Sequence, residues 1–272
     1  MDWTAKRDAF LTALKERPLV MGILNATPDS FSDGGQHDGA ELTHARRMVT
    51  EGADILDIGG ESTRPGATPV EQAEELQRIL PLVETLGAEP MPVSIDTYKA
   101  ATARAAVEAG AVVINDVWGA QKDPDMAGVM ADSGAAVVLM HNRDTADPSL
   151  DVMEDMQRFL TKSLDLVTVS GVSEDRILLD PGIGFGKTPE QSLTCLNRLN
   201  ELRDWFDLPV LLGLSRKRMI DHVLEVPVDE RLTGTLASNM IGLARGANVL
   251  RVHDVAEHVQ AVKMFTAVRA AT

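Results

Sequence analysis

The strongest constraint on the fold is a series of eight short apolar segments rich in β-branched residues. Because these segments are apolar rather than alternating, they indicate strands that are covered on both faces, as in a parallel sheet. Segments with a helical period lie between them, and several end at a glycine suited to a helix C-terminus. The strand segments span residues 18–24, 54–59, 91–95, 111–115, 135–140, 176–180, 209–214 and 247–252.

Eight strands that alternate with about eight helices are the pattern of a TIM (β/α)8 barrel. A doubly wound open sheet is the alternative, but its fingerprint G-x-G-x-x-G does not follow the first strand. No low-complexity linker interrupts the chain of 272 residues. We therefore predict an α/β protein with a single barrel domain over residues 1–272, in which roughly residues 1–17 form a short N-terminal helical extension.

The composition argues against several functional classes. With 26 Lys and Arg against 41 Asp and Glu, the formal net charge is −15, which argues against a nucleic acid or an anionic membrane surface as a partner. The single cysteine, Cys195, has no internal disulfide partner, and the opening "MDWTAKRDAF" has charges where a signal peptide has an apolar core. Because no apolar run approaches the ~20 residues of a bilayer span either, we predict a cytoplasmic location.

Polar, charged and glycine residues follow nearly every predicted strand. In a barrel the C-terminal ends of all strands meet on one face, so these segments converge on one mouth. We therefore predict that the functional site lies there. The segments are "NATPDSFSDGG", "GESTRPGA", "DT", "NDVWG", "HNRD", "DPGIGFGKT", "SRKR" and "RVHD".

Two aspartates end buried strands, Asp96 in "VSID" and Asp180 in "ILLD". A carboxylate at such a position is costly unless it meets hydrogen-bond donors. Three interpretations are open: each aspartate caps the next helix, the two ligate a metal ion, or together with Asn115 they bind a planar heterocycle that presents ring N–H and amino donors. Spacing alone does not decide among them.

The glycine-rich segment "GIGFGKT" at 182–188 resembles a Walker A loop only superficially. Gly182 and Gly186 enclose three residues where that motif has four, so a P-loop is excluded here. The segment predicts either a simple turn or a flexible loop that brings Phe185 and backbone amides toward the mouth.

Two groups of cationic residues follow the last two predicted strands. Of Ser215 to Arg218, at least two are expected on a solvated face, whereas Lys217 is placed to donate to a ring oxygen or nitrogen. Arg251 and His253 lie on the same side of an extended chain, where His253 makes either a structural hydrogen bond or a ligand contact. Together they predict the local positive charge that an anionic ligand would need.

Two loops containing several glycines follow the first two strands. The first begins at Asn25, which we expect to be the firmest ligand of the set because it is nearest to the strand. The second, at 59–67, carries Thr63, Arg64 and Pro65. It is either a mobile surface turn or a lid that closes over a substrate.

Taken as a set and in this order, eight motifs closely resemble the dihydropteroate synthases of folate biosynthesis over about residues 21–255. They are "GILNATPDSFSDGG", "DIGGESTRPGA", "SIDT", "INDVWG", "LMH", "DPGIGFGKT", "SRK" and "RVHDV". The resemblance implies a TIM-barrel transferase that condenses 6-hydroxymethyl-7,8-dihydropterin pyrophosphate with 4-aminobenzoate to 7,8-dihydropteroate and pyrophosphate by a dissociative substitution. It also implies a requirement for Mg²⁺, a homodimer and inhibition by sulfonamides.

The resemblance also implies roles for individual residues. The pterin would be bound by Asp96, Asn115, Met140, Asp180, Lys217 and Arg251. The pyrophosphate would be bound by Asn25, Thr63, Arg64, Arg251 and His253, and the aminobenzoate by Phe31, Thr63, Arg64, Pro65, Phe185, Ser215 and Lys217. Catalysis would rest on Asp96, Asp180, Lys217 and Arg251, with Asn25 as a Mg²⁺ ligand, Asp33 as a further candidate and Asp29 helping to order the first loop.

Two rival functions use a similar pterin-binding barrel. The first is a domain that transfers a methyl group from methyltetrahydrofolate to a corrinoid protein, which should lack the segments "TPDSFSDGG" and "STRPG" found here. The second is a catalytically silent paralogue that binds pterin and acts through partners, in which these loops or Lys217 should be damaged. Because the loops and Lys217 are intact, the synthase is the preferred interpretation.

Overall fold

The computed structural model describes residues 2–26, 39–61 and 69–271. In this part of the chain, short parallel strands alternate with longer helices. The strands are β1 (Leu19–Asn25), β2 (Ile55–Gly59), β3 (Val93–Asp96), β4 (Val113–Asp116), β5 (Ala136–Met140), β6 (Ile177–Asp180), β7 (Leu211–Leu212) and β8 (Val249–Val252). The helices are α1 (Trp3–Glu16), α2 (Ala40–Glu51), α3 (Gln72–Ala88), α4 (Ala100–Glu108), α5 (Met126–Ser133), α6 (Val152–Val169), α7 (Pro189–Asn197), α8 (Asn200–Phe206), α9 (Arg218–Leu224), α10 (Leu232–Ala244) and α11 (Val255–Ala270).

The strands form a barrel. Their order is β6-β5-β4-β3-β2-β1-β8-β7, and every paired neighbour runs parallel. A parallel bridge between Leu179 and Val210 joins the two ends of this series, and the N–H of Leu179 donates to the carbonyl of Pro209 at 2.9 Å. The predicted TIM barrel is therefore confirmed, and the open doubly wound sheet is wrong.

The lower part of the barrel interior is apolar. Successive side chains of a strand point to opposite faces, so alternate residues line the interior. α1 lies against the N-terminal ends of the strands, where Phe10 and Leu14 join the buried cluster and the indole N–H of Trp3 donates to the carbonyl of Ala111 at 2.8 Å. The strand residues of this lower layer are Met21, Ile55, Val113, Val138, Leu178, Leu211 and Val249.

The layer above it is polar. Two residues further along six of the same strands, the inner face carries Asp57, Asn115, Met140, Asp180, Gly213 and Arg251. On β3 the corresponding inner residue is Asp96, which aligns with Asn115 of β4. The carboxyl ends of the strands therefore bring the chemically reactive side chains to one face, as the TIM-barrel prediction requires.

The helices cover the outer face of the barrel. They pack through residues such as Ile79, Val83 and Leu86 of α3, which join one buried cluster with outward-facing strand residues. Gly52 caps the C-terminus of α2, and its φ of 102° is the left-handed conformation that glycine adopts readily. None of the helices in the described ranges has the length and apolar character needed to span a bilayer.

The seventh strand is shorter than predicted. Regular pairing covers only Leu211–Leu212 of the predicted 209–214. Gly213 and Leu214 stay buried, but the chain leaves the ladder there to form the turn in which the N–H of Lys217 donates to the carbonyl of Leu214 at 3.2 Å. The turn that ends the strand contains Ser215, Arg216 and Lys217.

Candidate active site

Four side chains of the upper layer form one hydrogen-bonded network. Asn115 donates through Nδ2 to Oδ2 of Asp57 at 3.0 Å. The guanidinium of Arg251 donates through Nε to the same oxygen at 2.6 Å and through Nη2 to Oδ2 of Asp96 at 2.6 Å. One cation is thus shared by two buried carboxylates.

Burial dominates the electrostatics of this network. It raises the pKa of Asp96 to about 7, and Asp57 adds to the rise while Arg251 opposes it. For Arg251, burial alone would lower the pKa, but Asp57 and Asp96 outweigh it and raise the pKa. The guanidinium therefore stays charged. A ligand that donates a hydrogen bond to the Asp96 carboxylate would lower the pKa of that group.

Asp180 lies on the opposite side of the same layer. Its Oδ1 accepts from the N–H of Gly182 at 2.7 Å, and burial raises its pKa, with Lys217 as the largest opposing influence. Neither this carboxylate nor Asp96 caps the following helix, because α4 has Lys99 at its N-cap and α7 has Thr188 there. The capping interpretation is wrong for both aspartates.

Lys217 and Phe185 meet above Asp180. The ammonium of Lys217 lies 4.3 Å from the centroid of the Phe185 ring, within the range of a cation–π interaction. It also donates to the carbonyl of Ile183 at 2.5 Å. Burial lowers the pKa of Lys217 to about 7, with Asp180 as the largest opposing influence.

The loop after β6 owes its conformation to three glycines and to a buried lysine. Gly182, Gly184 and Gly186 have φ values of 64°, 79° and 54°, and a Cβ at Gly182 would lie 1.8 Å from the carbonyl oxygen of His141. These glycines permit a conformation and a close approach that other residues resist. The buried ammonium of Lys187 donates to the carbonyls of Gly182, Phe185 and His141 at 2.8, 3.2 and 3.3 Å.

Ser215 and His253 connect the ends of β7 and β8. Their Oγ and Nδ1 atoms are 2.9 Å apart, and the backbone N–H of His253 donates to the same hydroxyl at 3.3 Å. Arg216, the next residue, has a φ of 57°, which is strained for a side chain with a Cβ. Its guanidinium donates through Nε to Asp254 at 3.0 Å, so an ion pair holds the turn that separates Ser215 from Lys217.

Comparison with known proteins identifies this constellation. The family model described as "Pterin binding enzyme" matches residues 21–253, which include all of the strands above except the first residues of β1. The chain belongs to the pterin-binding enzymes.

Its relatives in that family are dihydropteroate synthases. The enzyme of Bacillus subtilis is 48% identical over 256 residues, which cover 93% of this chain and 89% of the relative. The solved structure from Clostridium difficile, with pteroic acid, has a TM-score of 0.91 at 46% identity and covers 94% of this chain and 98% of that one. The structure from Xanthomonas albilineans with 4-aminobenzoic acid has a TM-score of 0.91 at 45% identity. It covers 94% of this chain and 95% of that one.

In this pterin-binding enzyme the remaining predicted site residues fall into two groups. Asn25 lies exposed at the end of β1, and Met140 is buried at the end of β5. The second group lies outside the described residues, so the predicted roles of its members stay predictions. It consists of Asp29, Phe31, Asp33, Thr63, Arg64 and Pro65.

Asp57 is the residue of the network that the sequence patterns did not single out. The segment "DILDIG" predicts a buried strand, and its second aspartate, Asp57, stands within that otherwise apolar run. A signal was nevertheless present, because a carboxylate inside a strand covered on both faces requires buried partners. The structure supplies these partners as Asn115 and Arg251.

The described residues fit a magnesium ion only in part. Mg²⁺ prefers oxygen ligands and is often held by one or two protein groups together with substrate phosphates and waters. Within the described ranges, no group of three or more His, Cys, Asp or Glu side chains is placed to hold a metal ion. Of the predicted oxygen ligands of this ion, Asn25 lies among the described residues, and Asp33 lies outside them.

Proposed function

We propose that the protein condenses 6-hydroxymethyl-7,8-dihydropterin pyrophosphate with 4-aminobenzoate to give 7,8-dihydropteroate and pyrophosphate. The observation that carries this proposal is the buried polar layer at the carboxyl ends of the strands. It combines acceptors from Asp96, Asn115 and Asp180 with cations from Lys217 and Arg251. Membership in the pterin-binding enzymes supports the same reaction.

The pterin would lie among the carboxylates of the upper layer. Its ring N–H and amino groups are donors, and Asp96, Asp180 and the amide of Asn115 offer acceptors. Oδ1 of Asp96 is buried without a hydrogen-bond partner among the described residues, which suits a donor supplied by a ligand. Lys217 would donate to a ring oxygen or nitrogen, and Met140 would pack against the ring.

The leaving group and the second substrate would lie nearer to the mouth. For the pyrophosphate, we assign Arg251 in β8 and His253 directly after it. For the aminobenzoate, the described wall consists of Phe185, Ser215 and Lys217. We assign the remaining contacts, outside the described residues, to Phe31, Thr63, Arg64 and Pro65.

The proposed reaction is a dissociative substitution. The bond between the pterin methylene carbon and the pyrophosphate oxygen breaks, and pyrophosphate leaves with the electron pair. The methylene cation, delocalised over the pterin ring, forms a bond to the nitrogen of 4-aminobenzoate, which loses one proton to solvent. Asp96 and Asp180 would stabilise the positive ring, and Arg251 with His253 would stabilise the negative leaving group. Mg²⁺ held by Asn25 would supply further stabilisation of charge on that leaving group.

The experiment that tests this function measures pyrophosphate release and dihydropteroate formation with Mg²⁺, with and without 4-aminobenzoate. We expect wild-type protein to form dihydropteroate and Asp96→Asn to lose most of that activity. Pterin binding without any product would favour the catalytically silent paralogue. Methyl transfer from methyltetrahydrofolate to a corrinoid protein would favour the methyltransferase instead.

A sulfonamide provides an independent check on the second substrate. It resembles 4-aminobenzoate and should compete with it at the wall formed by Phe185 and Ser215. We expect inhibition that is relieved by added 4-aminobenzoate. Uninhibited turnover with the sulfonamide in large excess would contradict the assignment of this wall.

We also propose that the protein is a homodimer. Met264 and Val268, one helical turn apart on α11, are 65% and 67% exposed, and Ile241 on the adjoining α10 is 48% exposed. Such neighbouring exposed apolar side chains are typical of a surface that another protein covers. Sedimentation should show a dimer for the wild type and a monomer for Met264→Glu combined with Val268→Glu. A wild-type monomer would contradict the proposal.

A further inference from the structure

Asp57 lies in the middle of β2 with its side chain fully buried. A buried carboxylate is costly unless donors reach it. Its Oδ2 accepts from Asn115 at 3.0 Å and from Arg251 at 2.6 Å. Both donors belong to the pterin site proposed above, although Asp57 itself has no assigned role there.

The contact with Asn115 fixes the orientation of an amide group. A carboxylate oxygen only accepts hydrogen bonds, so the NH₂ end of the Asn115 amide must face Asp57. The carbonyl oxygen of the amide is then the atom left for a ligand. Because the pterin presents N–H and amino donors, the reversed amide would place donor against donor.

The contacts with Arg251 fix a planar cation at two points. Nε is held by Asp57 and Nη2 by Asp96, which restrains both the position and the plane of the guanidinium. Two carboxylates share this one cation. Oδ1 of Asp57 and Oδ1 of Asp96 are both buried without a hydrogen-bond partner within the described ranges. The cluster is therefore rich in acceptors before any ligand is present.

We propose that Asp57 is a positioning residue of the pterin site, which turns the Asn115 amide so that its oxygen accepts from the pterin and holds Arg251 against Asp96. The inference rests on the proposed function, since it assigns the ligand of the site to a pterin. Asp57 acts through Asn115 and Arg251 rather than through the reacting atoms. It selects a ligand edge that is rich in hydrogen-bond donors.

The first test is Asp57→Asn, which keeps the volume but removes the charge that two donors share. The Asn115 amide can then turn, and Arg251 loses its anchor at Nε. We expect the KM for dihydropterin pyrophosphate to rise roughly 10- to 100-fold, the loss expected for a hydrogen bond to a charged group. The KM for 4-aminobenzoate should change little, because Phe185 pairs with Lys217 and Ser215 with His253, whereas Asp57 bonds to Asn115 and Arg251. An unchanged KM for the pterin substrate would overturn the inference.

The second variant exchanges the two side chains, Asp57→Asn with Asn115→Asp. The exchanged pair keeps the total charge and volume, and the NH₂ of position 57 now donates to a carboxylate at position 115, which presents only acceptors. We expect the exchange to recover a large part of the pterin affinity lost in Asp57→Asn. Should Asp57→Asn fail to fold, the exchange is compared with Asn115→Asp alone, in which two carboxylates repel each other. An exchange that binds the pterin no better than the single variants would also overturn the inference.

Asp116 at the end of β4 provides a matched control. It is also a fully buried carboxylate, but it accepts from the backbone N–H groups of Trp118 and Ala120 at 2.8 and 2.6 Å. Asp116→Asn should lower stability without a selective rise in the KM for the pterin substrate. If wild-type protein forms no dihydropteroate, the proposed function fails. If it does, and Asp57→Asn behaves like Asp116→Asn, only the positioning role fails.

Discussion

The lower and upper layers inside the barrel use the same strands two residues apart, yet their chemistry is opposite. On β6, Leu178 belongs to the apolar layer closed by α1, while Asp180 belongs to the layer of carboxylates and cations. The lower layer stabilises the fold by removing apolar surface from water. The upper layer keeps buried charges whose pKa values burial has shifted, and it is stabilised less than an apolar layer would be. The comparison teaches that binding chemistry is concentrated where the barrel is least optimised for stability.

The largest effect should come from Asp180→Asn. Removing this carboxylate removes an acceptor and a negative charge beside the pterin, so we expect kcat/KM to fall about 10²- to 10³-fold, the range for loss of one electrostatic contact. Stability in urea at pH 7 should hold or increase, because burial disfavours the ionised form, as the raised pKa shows. Retained activity or a marked loss of stability would break the contrast between the layers.

Leu178→Ala is the matched change in the lower layer of the same strand. Leu178 is fully buried, and truncation leaves a cavity in a packed interior, so we expect a loss of about 2–5 kcal/mol in the free energy of unfolding. Activity per folded molecule should stay close to that of the wild type. Urea unfolding together with steady-state kinetics measures both quantities. A kcat/KM as low as that of Asp180→Asn would show that the two layers are not separate in function.

Lys187→Met tests whether the buried lysine stabilises the loop after β6, which carries Phe185 beside the upper layer. The variant loses hydrogen bonds from a buried ammonium to three loop carbonyls, and we expect a loss of about 2 kcal/mol in stability. Because Phe185 is carried by this loop, the KM for 4-aminobenzoate should rise more than the KM for the pterin substrate. Equal changes in both KM values would indicate a general loss of structure instead.

Per pH unit, the smallest effect is the dependence of stability on pH in the substrate-free protein. The pKa of Asp96 is raised to about 7, so between its unfolded value near 4 and pH 7 the folded state binds more protons. Stability should therefore fall as pH rises through this window, by at most about 1.4 kcal/mol per pH unit for this group, and level off above it. Unfolding at pH 5, 6 and 7 measures the slope. Asp96→Asn should make the slope of stability against pH shallower. Leu178→Ala should lower stability at every pH and leave the slope unchanged.

Much of the fold followed from local patterns. Unbroken apolar segments predicted the parallel strands, and the alternation with helices predicted the closed barrel. The pattern was less informative for Asp57, because a single charge in an apolar segment does not reveal its partners. It was also incomplete at Gly182, Gly184 and Gly186, because it did not reveal that the carbonyl of Gly182 accepts a hydrogen bond from the buried ammonium of Lys187.

The sequence by itself determined the kind of fold and the face on which the chemistry gathers, because hydrophobic period and strand-end polarity are local properties. It also determined membership in a family, because the order of its motifs is distinctive. Only the tertiary structure decided which charges share partners. Arg251 pairs with Asp57, which lies 194 positions away in the sequence, and with Asp96, which lies 155 positions away. Such pairings and the burial that shifts their pKa values exist only once the barrel has closed.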